Sequence, residues 1–404
     1  TKGAAQKAQR WIERRARVAA RSSDFEGLQV VIVPESAVET ARLYQRYSGE
    51  IVSSRMAEDL LNGGLQTGSK SHLLRRRLAS IYGANPAGVQ VFANGMAAVT
   101  GVMRSLPGIA EGKKTLQLEF PYVDSLKVQE QFGNGVVFLN EAEGESFEEA
   151  LRRIEQGEFA AVFTEVPSNP LLRTLDLPAV SAACREGGVP LIVDDSSVGP
   201  FNVKALPWAD AVTCSLTKWL SGVGDVMGGA VIIREDSPFA DELGASLARE
   251  SEETNPLYIA DSQVLLSNLK GYSTRMKAPN ENALQLVELL THHPSVDRVW
   301  HPSVVNRRKY EVIQSPGGGY GGLLSFTLKN SRKTSKVYDA LGLSKGPSFG
   351  TTFSLVSPYV MLAHYEELDW AEGCGVPAHL IRVSCGNEDP TVLQTAFSDA
   401  LDLG

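Results

Sequence analysis

Ser215-Leu216-Thr217-Lys218 closes a short apolar run, and a glycine-rich turn follows before Gly228-Gly229-Ala230-Val231-Ile232-Ile233 resumes in strand-like fashion. Such a turn presents one lysine amine beside two hydroxyl groups. An amine condenses with an aldehyde, while hydroxyl and backbone N–H groups hold a phosphate. Pyridoxal 5'-phosphate (PLP) carries both groups. Taken alone, Ser-x-Thr-Lys is more often a surface lysine after a buried strand, so other residues must decide.

Val193-Asp194-Asp195 ends an apolar strand 24 positions before Lys218. A carboxylate there could pair with a pyridine nitrogen and keep the ring protonated, which makes the ring an electron sink. Capping a turn or helix is the competing use of Asp194. Upstream, Asn94-Gly95-Met96 reads as a turn from strand into helix, where backbone N–H groups and the positive helix end favour a phosphate.

The elements that must position these residues read as alternating strands and helices. Strands are expected at 89–93, 115–119, 136–139, 160–165, 191–194, 211–215 and 230–233, with helices near 124–132, 146–156 and 178–187 between them. Short connections and repeated alternation predict an α/β fold whose central sheet is mostly parallel and covered on both faces. Ligands of such sheets lie beyond the carboxyl ends of the strands, where Glu165, Asp194 and Ser215 fall.

Residues 2–22 suggest an exposed, arm-like helix, and apolar spacing over 57–83 suggests another helical segment. From about 246 the texture changes to a long helical stretch over 256–291, strands at 296–300, 322–328 and 380–384, a helix near 332–341 and a final helix. The expected organisation is a 1–56 N-terminal segment, a 57–245 large domain and a 246–404 smaller α+β domain. Gly317–Gly322 lacks the Gly-Lys-Ser/Thr ending of a nucleotide loop and reads as a turn into a strand.

Composition narrows the function. The 404 residues are 43% hydrophobic and 21% charged, with a net charge of -8, as in an ordinary soluble chain that does not bind nucleic acid. Its strongly basic stretch is confined to Lys7–Arg21, and no run approaches a membrane span. Cys184, Cys214, Cys374 and Cys385 show no Cys-x-x-Cys spacing, so reduced thiols, no metal site and a cytoplasmic location are expected. The Lys/Arg/Ala-rich start after Thr1 has no signal-peptide core, and Glu13, Asp24 and Glu26 disfavour a transit peptide.

Over most of residues 60–400 the chain resembles the Cys/Met-metabolism PLP enzymes of fold type I, which include cystathionine γ-synthase, γ-lyase and β-lyase. The ordered matches are Asn94-Gly95-Met96-Ala97-Ala98, Phe120-Pro121-Tyr122, Glu165-Val166-Pro167-Ser168-Asn169-Pro170, Val193-Asp194, Ser215-Leu216-Thr217-Lys218 and Leu380–Glu388. A finer resemblance, carried by Gly321–Ser325, Gly346–Phe353 and Leu362–Trp370, is to fungal cystathionine γ-synthase-like proteins.

The resemblance implies that Lys218 binds the cofactor covalently and then moves protons, and that Asp194 meets the ring nitrogen. It places Gly95, Met96, Ser215 and Thr217 on the phosphate, Tyr122 over the ring as a stacking and catalytic residue, and Asn169 on the phenolic oxygen. Arg382, helped by Ser348, takes the substrate carboxylate. The implied reaction is γ-replacement on an O-acyl-L-homoserine by a thiol or carbon nucleophile; elimination and a catalytically retired scaffold are the alternatives. A homodimer or homotetramer is also implied. The family's Tyr-x-Arg-x-x-Asn-Pro-Thr motif is missing around Gly63–Lys70, where Gln45-Arg46-Tyr47 is a candidate substitute, and Val223 replaces a frequent His while Asp225 retains an acid.

Overall fold

Strand residues that alternate in side-chain direction must find an apolar layer on each face if the sheet is to be buried. The computed structural model, which describes residues 1–66, 68 and 70–403, satisfies this requirement in its large sheet. Among these residues the sheet has seven strands: β3 (Val89–Phe92), β4 (Thr115–Leu118), β5 (Val136–Leu139), β6 (Val162–Glu165), β7 (Leu191–Asp194), β8 (Ala211–Ser215) and β9 (Gly229–Ile233). Leu191 and Val193 enter one apolar cluster while Ile192 enters the other, and Ala230 and Ile232 alternate likewise with Val231 and Ile233.

The spatial order is β3-β9-β8-β7-β6-β4-β5. Strands β4 to β8 are mutually parallel, and β9 runs antiparallel to both β3 and β8. Register sets Glu165 beside Asp194, and Asp194 beside Thr213, at the carboxyl edge. Helices Gly95–Ser105, Val123–Phe132, Gly144–Glu155 and Leu177–Gly187 fill the connections.

A second sheet of five strands follows the order β10-β11-β14-β13-β12 and is built from β10 (Val296–Trp300), β11 (Leu323–Leu328), β12 (Ser344–Lys345), β13 (Leu355–Ser357) and β14 (Ile381–Ser384). Its apolar face packs under Lys277–His292 and the final helix Pro390–Asp402. Strands β12 and β13, at two and three residues, are too short to show a period and were not expected.

Three further expectations need correction. The helix expected over 2–22 ends at Ala16, and Arg21–Phe25 (β1) pairs with Leu28–Ile32 (β2) in a hairpin. Its turn places Glu26 and Gly27 at φ 50 and 88, the positive-φ pair that favours hairpin closure. The helix is not a free arm either: Ala5, Ala8 and Ile12 are buried, and Ala8 and Ile12 pack with Ala37 and Tyr44. The stretch 256–291 divides into Ile259–Asn268, Tyr272–Arg275 and Lys277–His292, with a 3-10 turn at Leu269–Gly271. Leu265, Leu269, Tyr272 and Met276 pack in the cluster that covers β7 and β8. The segment 57–83 likewise divides, into Ser54–Leu61 and Ser71–Tyr82.

No described helix is long and apolar enough to cross a membrane. The four cysteines are unpaired, with Cys184, Cys214 and Cys385 buried.

Candidate active site

One cavity of about 790 Å³ at the carboxyl edge of the large sheet is lined by all ten residues singled out in the sequence: Gly95, Met96, Tyr122, Asn169, Asp194, Ser215, Thr217, Lys218, Ser348 and Arg382. Each reaches it for a local reason. Asn94 caps the helix Gly95–Ser105, its Oδ1 accepting from Ala97 N at 2.9 Å and its Nδ2 donating to Gly49 O at 2.7 Å. The first N–H groups of that helix therefore remain free for an anion. A Cβ on Gly95 would stand 3.1 Å from Ser215 Cβ, so glycine lets the helix start approach the end of β8. Thr217 Oγ1 accepts from Gly228 N at 3.2 Å and braces the loop behind the lysine.

Lys218 Nζ donates to Ser348 Oγ at 2.8 Å and lies 4.9 Å from the centre of the Phe349 ring. Gly350 adopts φ +82, and any Cβ there would press within 2.6 Å of Trp219 N, so this glycine allows the Ser348 loop to lie on the lysine turn. Arg382 is 2% exposed. Its Nη1 donates to Asn169 Oδ1 at 3.1 Å, and its Nη2 to the carbonyl oxygens of Pro347 at 2.5 Å and Ser348 at 3.2 Å. No carboxylate among the described residues forms an ion pair with it.

Burial and charge set the protonation states. Burial, with help from the Arg382 charge, pulls the Lys218 amine down to about 8. Burial also lowers the Arg382 guanidinium to about 10. The Asp194 carboxyl is pushed up by burial, although it accepts from Ser196 N at 2.8 Å and Thr213 Oγ1 at 3.1 Å. Glu165 rises further because it is buried and faces Asp194. Asp195 turns away from the cavity, accepts from the Tyr82 hydroxyl at 3.1 Å, and is raised to about 7 by burial and by Asp194.

A cavity joining an amine of depressed pKa, a buried acid and an unpaired buried guanidinium is built for reactions of an anionic substrate at a carbonyl-derived centre. Residues 66–402 match the model of the Cys/Met metabolism PLP-dependent enzymes. The chain belongs to this family. It is 35% identical over 364 residues to the cystathionine gamma-synthase of Neurospora crassa, covering 87% of this chain and 58% of that protein. It is 33% identical over 426 residues to a cystathionine gamma-synthase-like protein of Aspergillus thermomutatus, covering 93% of this chain and 74% of the relative. The fold superposes with a TM-score of 0.74 and 26% identity on the cystathionine gamma synthase of Xanthomonas oryzae pv. oryzae in complex with aminoacrylate and cysteine, over 83% of this chain and 86% of that one.

The architecture is accordingly that of the fold type I PLP enzymes. The residues present fit the family's cofactor: an amine, an acid near it, and a free helix N-terminus with hydroxyls beside it share one cavity.

Other residues that line the cavity had no role in the sequence reading. Glu165 was read as a polar strand end and as the start of a family-matching run, with no role assigned, yet its Oε1 accepts from Tyr122 N at 2.6 Å and its Oε2 from Asn169 N at 3.1 Å. It thereby ties together the backbones of two cavity residues. Ser196 Oγ accepts from Ser215 N at 2.7 Å, and Tyr359 lies under Arg382, 4.8 Å from ring centre to guanidinium carbon. Of the substitute triplet, Gln45 and Arg46 line the cavity, while Tyr47 belongs to an apolar cluster. In the segment 63–70, residues 67 and 69 lie outside the described residues. Val223 and Asp225 do not line the cavity; Asp225 meets Arg55 at 3.7 Å and accepts from Asn268 Nδ2 at 3.0 Å.

Proposed function

We propose that the protein catalyses γ-replacement on an O-acyl-L-homoserine, joining its four-carbon unit to a thiol or a carbon nucleophile. The observation that carries this reading is the Lys218 amine, lowered to about 8, bonded to Ser348 and sharing one cavity with Asp194 and Arg382. Bound PLP supplies an electron sink that acidifies the substrate's Cα and Cβ hydrogens. Asp194 would meet the ring nitrogen, Tyr122 the ring face and Asn169 the phenolic oxygen. The N–H groups of Gly95 and Met96 and the hydroxyls of Ser215 and Thr217 would hold the phosphate.

Arg382 presents a planar fork that fits a carboxylate, and Ser348 lies beside it. Together they would fix the substrate's α-carboxylate and so aim Cα at Lys218 Nζ, which is already bonded to Ser348 Oγ. The neutral amine would take the proton from Cα, hand it on and so become neutral again, and then take one from Cβ, after which the γ-acyloxy group departs, a nucleophile adds at Cγ and protons return to Cβ and Cα. A volume of about 790 Å³ leaves room for a second substrate beside the first.

Elimination would use the same residues. Replacement is favoured by the similarity to synthases from Neurospora crassa and Xanthomonas oryzae pv. oryzae. A homodimer or homotetramer belongs to the same proposal, supported by the exposed Ile51, which lines the cavity, and by the exposed Val52 and Leu61. Incubation with O-acetyl-L-homoserine and a panel of thiols and carbon acids, read by mass spectrometry, tests the reading. A Cγ adduct supports it, and release of a 2-oxo acid and ammonia as the sole products contradicts it.

A further inference from the structure

A phenol has one proton to donate, and where that proton points decides what the oxygen can offer a ligand. Tyr122 is 38% exposed and lines the cavity, while its hydroxyl donates to Asp124 Oδ2 at 2.9 Å. The phenol oxygen therefore turns lone pairs, not its hydrogen, toward a bound molecule. Asp124 is only 5% exposed and is held from the other side by Arg46, whose Nε and Nη2 both lie 2.9 Å from Oδ1. The pair spans two elements: Arg46 sits on Val38–Ser48, and Asp124 opens Val123–Phe132 directly after Tyr122.

We propose that Asp124, acting through Tyr122, receives the proton that the second substrate gives up as it attacks, with Arg46 bonded to the other carboxylate oxygen. The inference rests on the γ-replacement reading. As the nucleophile's bond to Cγ forms, its X–H bond breaks and the proton passes to the Tyr122 oxygen. The phenol's own proton moves to Asp124 Oδ2, so a carboxylate becomes a carboxylic acid and a neutral nucleophile loses one proton; charge and atoms balance. Tyr122 touches the substrate, and Asp124 is a positioning residue that stores the proton beside the half-exposed Arg46.

Other groups face Asp124 from each packed element. They are Arg46 and Tyr47 on Val38–Ser48, and Tyr359 and His364 from the segment 359–364, while Lys127 and Glu130 on its own helix act on Tyr47. Burial and the Asp124 charge together raise the Tyr122 phenol, which suits a group that relays a proton and does not stand as a phenolate. The dyad was not legible in the sequence, because Arg46 and Asp124 are 78 positions apart.

The test uses Asp124→Asn and Asp124→Glu in the holoenzyme, with O-acetyl-L-homoserine and a thiol. Replacement by D124N is expected to fall about 100-fold, the scale of one general base, and further than acetate release without a nucleophile, which is measured on the same variant. The ratio of replacement to elimination cancels groups common to both reactions; it should fall in D124N and recover in D124E. An unchanged ratio in D124N overturns the proposal.

If wild type acts on no acylhomoserine, the replacement reading fails and the dyad still meets its own test. Fluorotyrosine placed throughout the cofactor-free protein, with the Tyr122 signal assigned by Tyr122→Phe, reports phenol ionisation. D124N should lower the Tyr122 midpoint by at least about one pH unit, a tenfold change in equilibrium; an unmoved midpoint refutes the pairing.

Discussion

Lys218 should capture an aldehyde at a pH where ordinary lysines are inert. Burial and the Arg382 charge bring its amine from the ordinary 10.5 to about 8. At pH 7 the neutral, nucleophilic fraction then rises from roughly 1 in 3000 to roughly 1 in 11, a gain of about 300-fold. The sign follows from which form reacts: below about 8 the amine is mostly protonated, so the capture rate falls tenfold for each pH unit of acidification, and above about 8 it levels. The assay is stopped-flow absorbance of cofactor-free protein mixed with a simple aromatic aldehyde whose own protonation is constant over pH 6–11. Lys218→Ala supplies the background. Arg382→Met should move the break to higher pH, because it removes the guanidinium charge that disfavours the ammonium form. A rate that continues to climb through pH 10 in wild type would refute the reasoning.

Four further outcomes follow from the geometry. Arg382→Lys should lower kcat/KM for the amino-acid substrate about 10- to 150-fold, since charged hydrogen bonds contribute about 1.5–3 kcal/mol and an ammonium cannot reproduce the fork to Asn169, Pro347 and Ser348; steady-state kinetics checks it. Asp194→Asn should reduce turnover about 100-fold or more with the fold intact, as judged by circular dichroism beside the rate assay. Glu165→Gln turns one acceptor oxygen into a donor facing Tyr122 N or Asn169 N, so denaturant unfolding of the cofactor-free protein should show a loss of about 1–3 kcal/mol. Ile12→Ala empties a site that is 2% exposed and should cost about 2–5 kcal/mol in the same measurement, which an unpacked arm would not show.

The residues legible in the sequence are those whose position along one strand decides their direction. Asp194, Ser215 and Lys218 end or follow strands, and a parallel sheet sends such ends to one edge. The choice between neighbours came from the family resemblance, and in the structure Asp194 enters the cavity while Asp195 turns back toward Tyr82. Arg382 and Ser348 came from family resemblance, because nothing local says that β14 brings a guanidinium to another sheet's edge. What stayed hidden depends on packing between distant segments. Glu165 looks like any polar strand end until the loops of Tyr122 and Asn169 fold onto it. The hairpin β1–β2 was missed for a different reason: every residue of β1 is exposed, so no alternation marks it. The N-terminal helix hid its buried stripe because two of its three contacts are alanines among charges.

The central claim is that one amine, Lys218, moves protons at both Cα and Cβ before a nucleophile reaches Cγ. Running the wild-type reaction in deuterium oxide with O-acetyl-L-homoserine and a thiol, and locating deuterium in the product by NMR and mass spectrometry, tests it most directly. The account predicts a thioether product carrying deuterium at both Cα and Cβ, and none formed by Lys218→Ala. A thioether without deuterium at Cβ would mean direct displacement at Cγ and would contradict it.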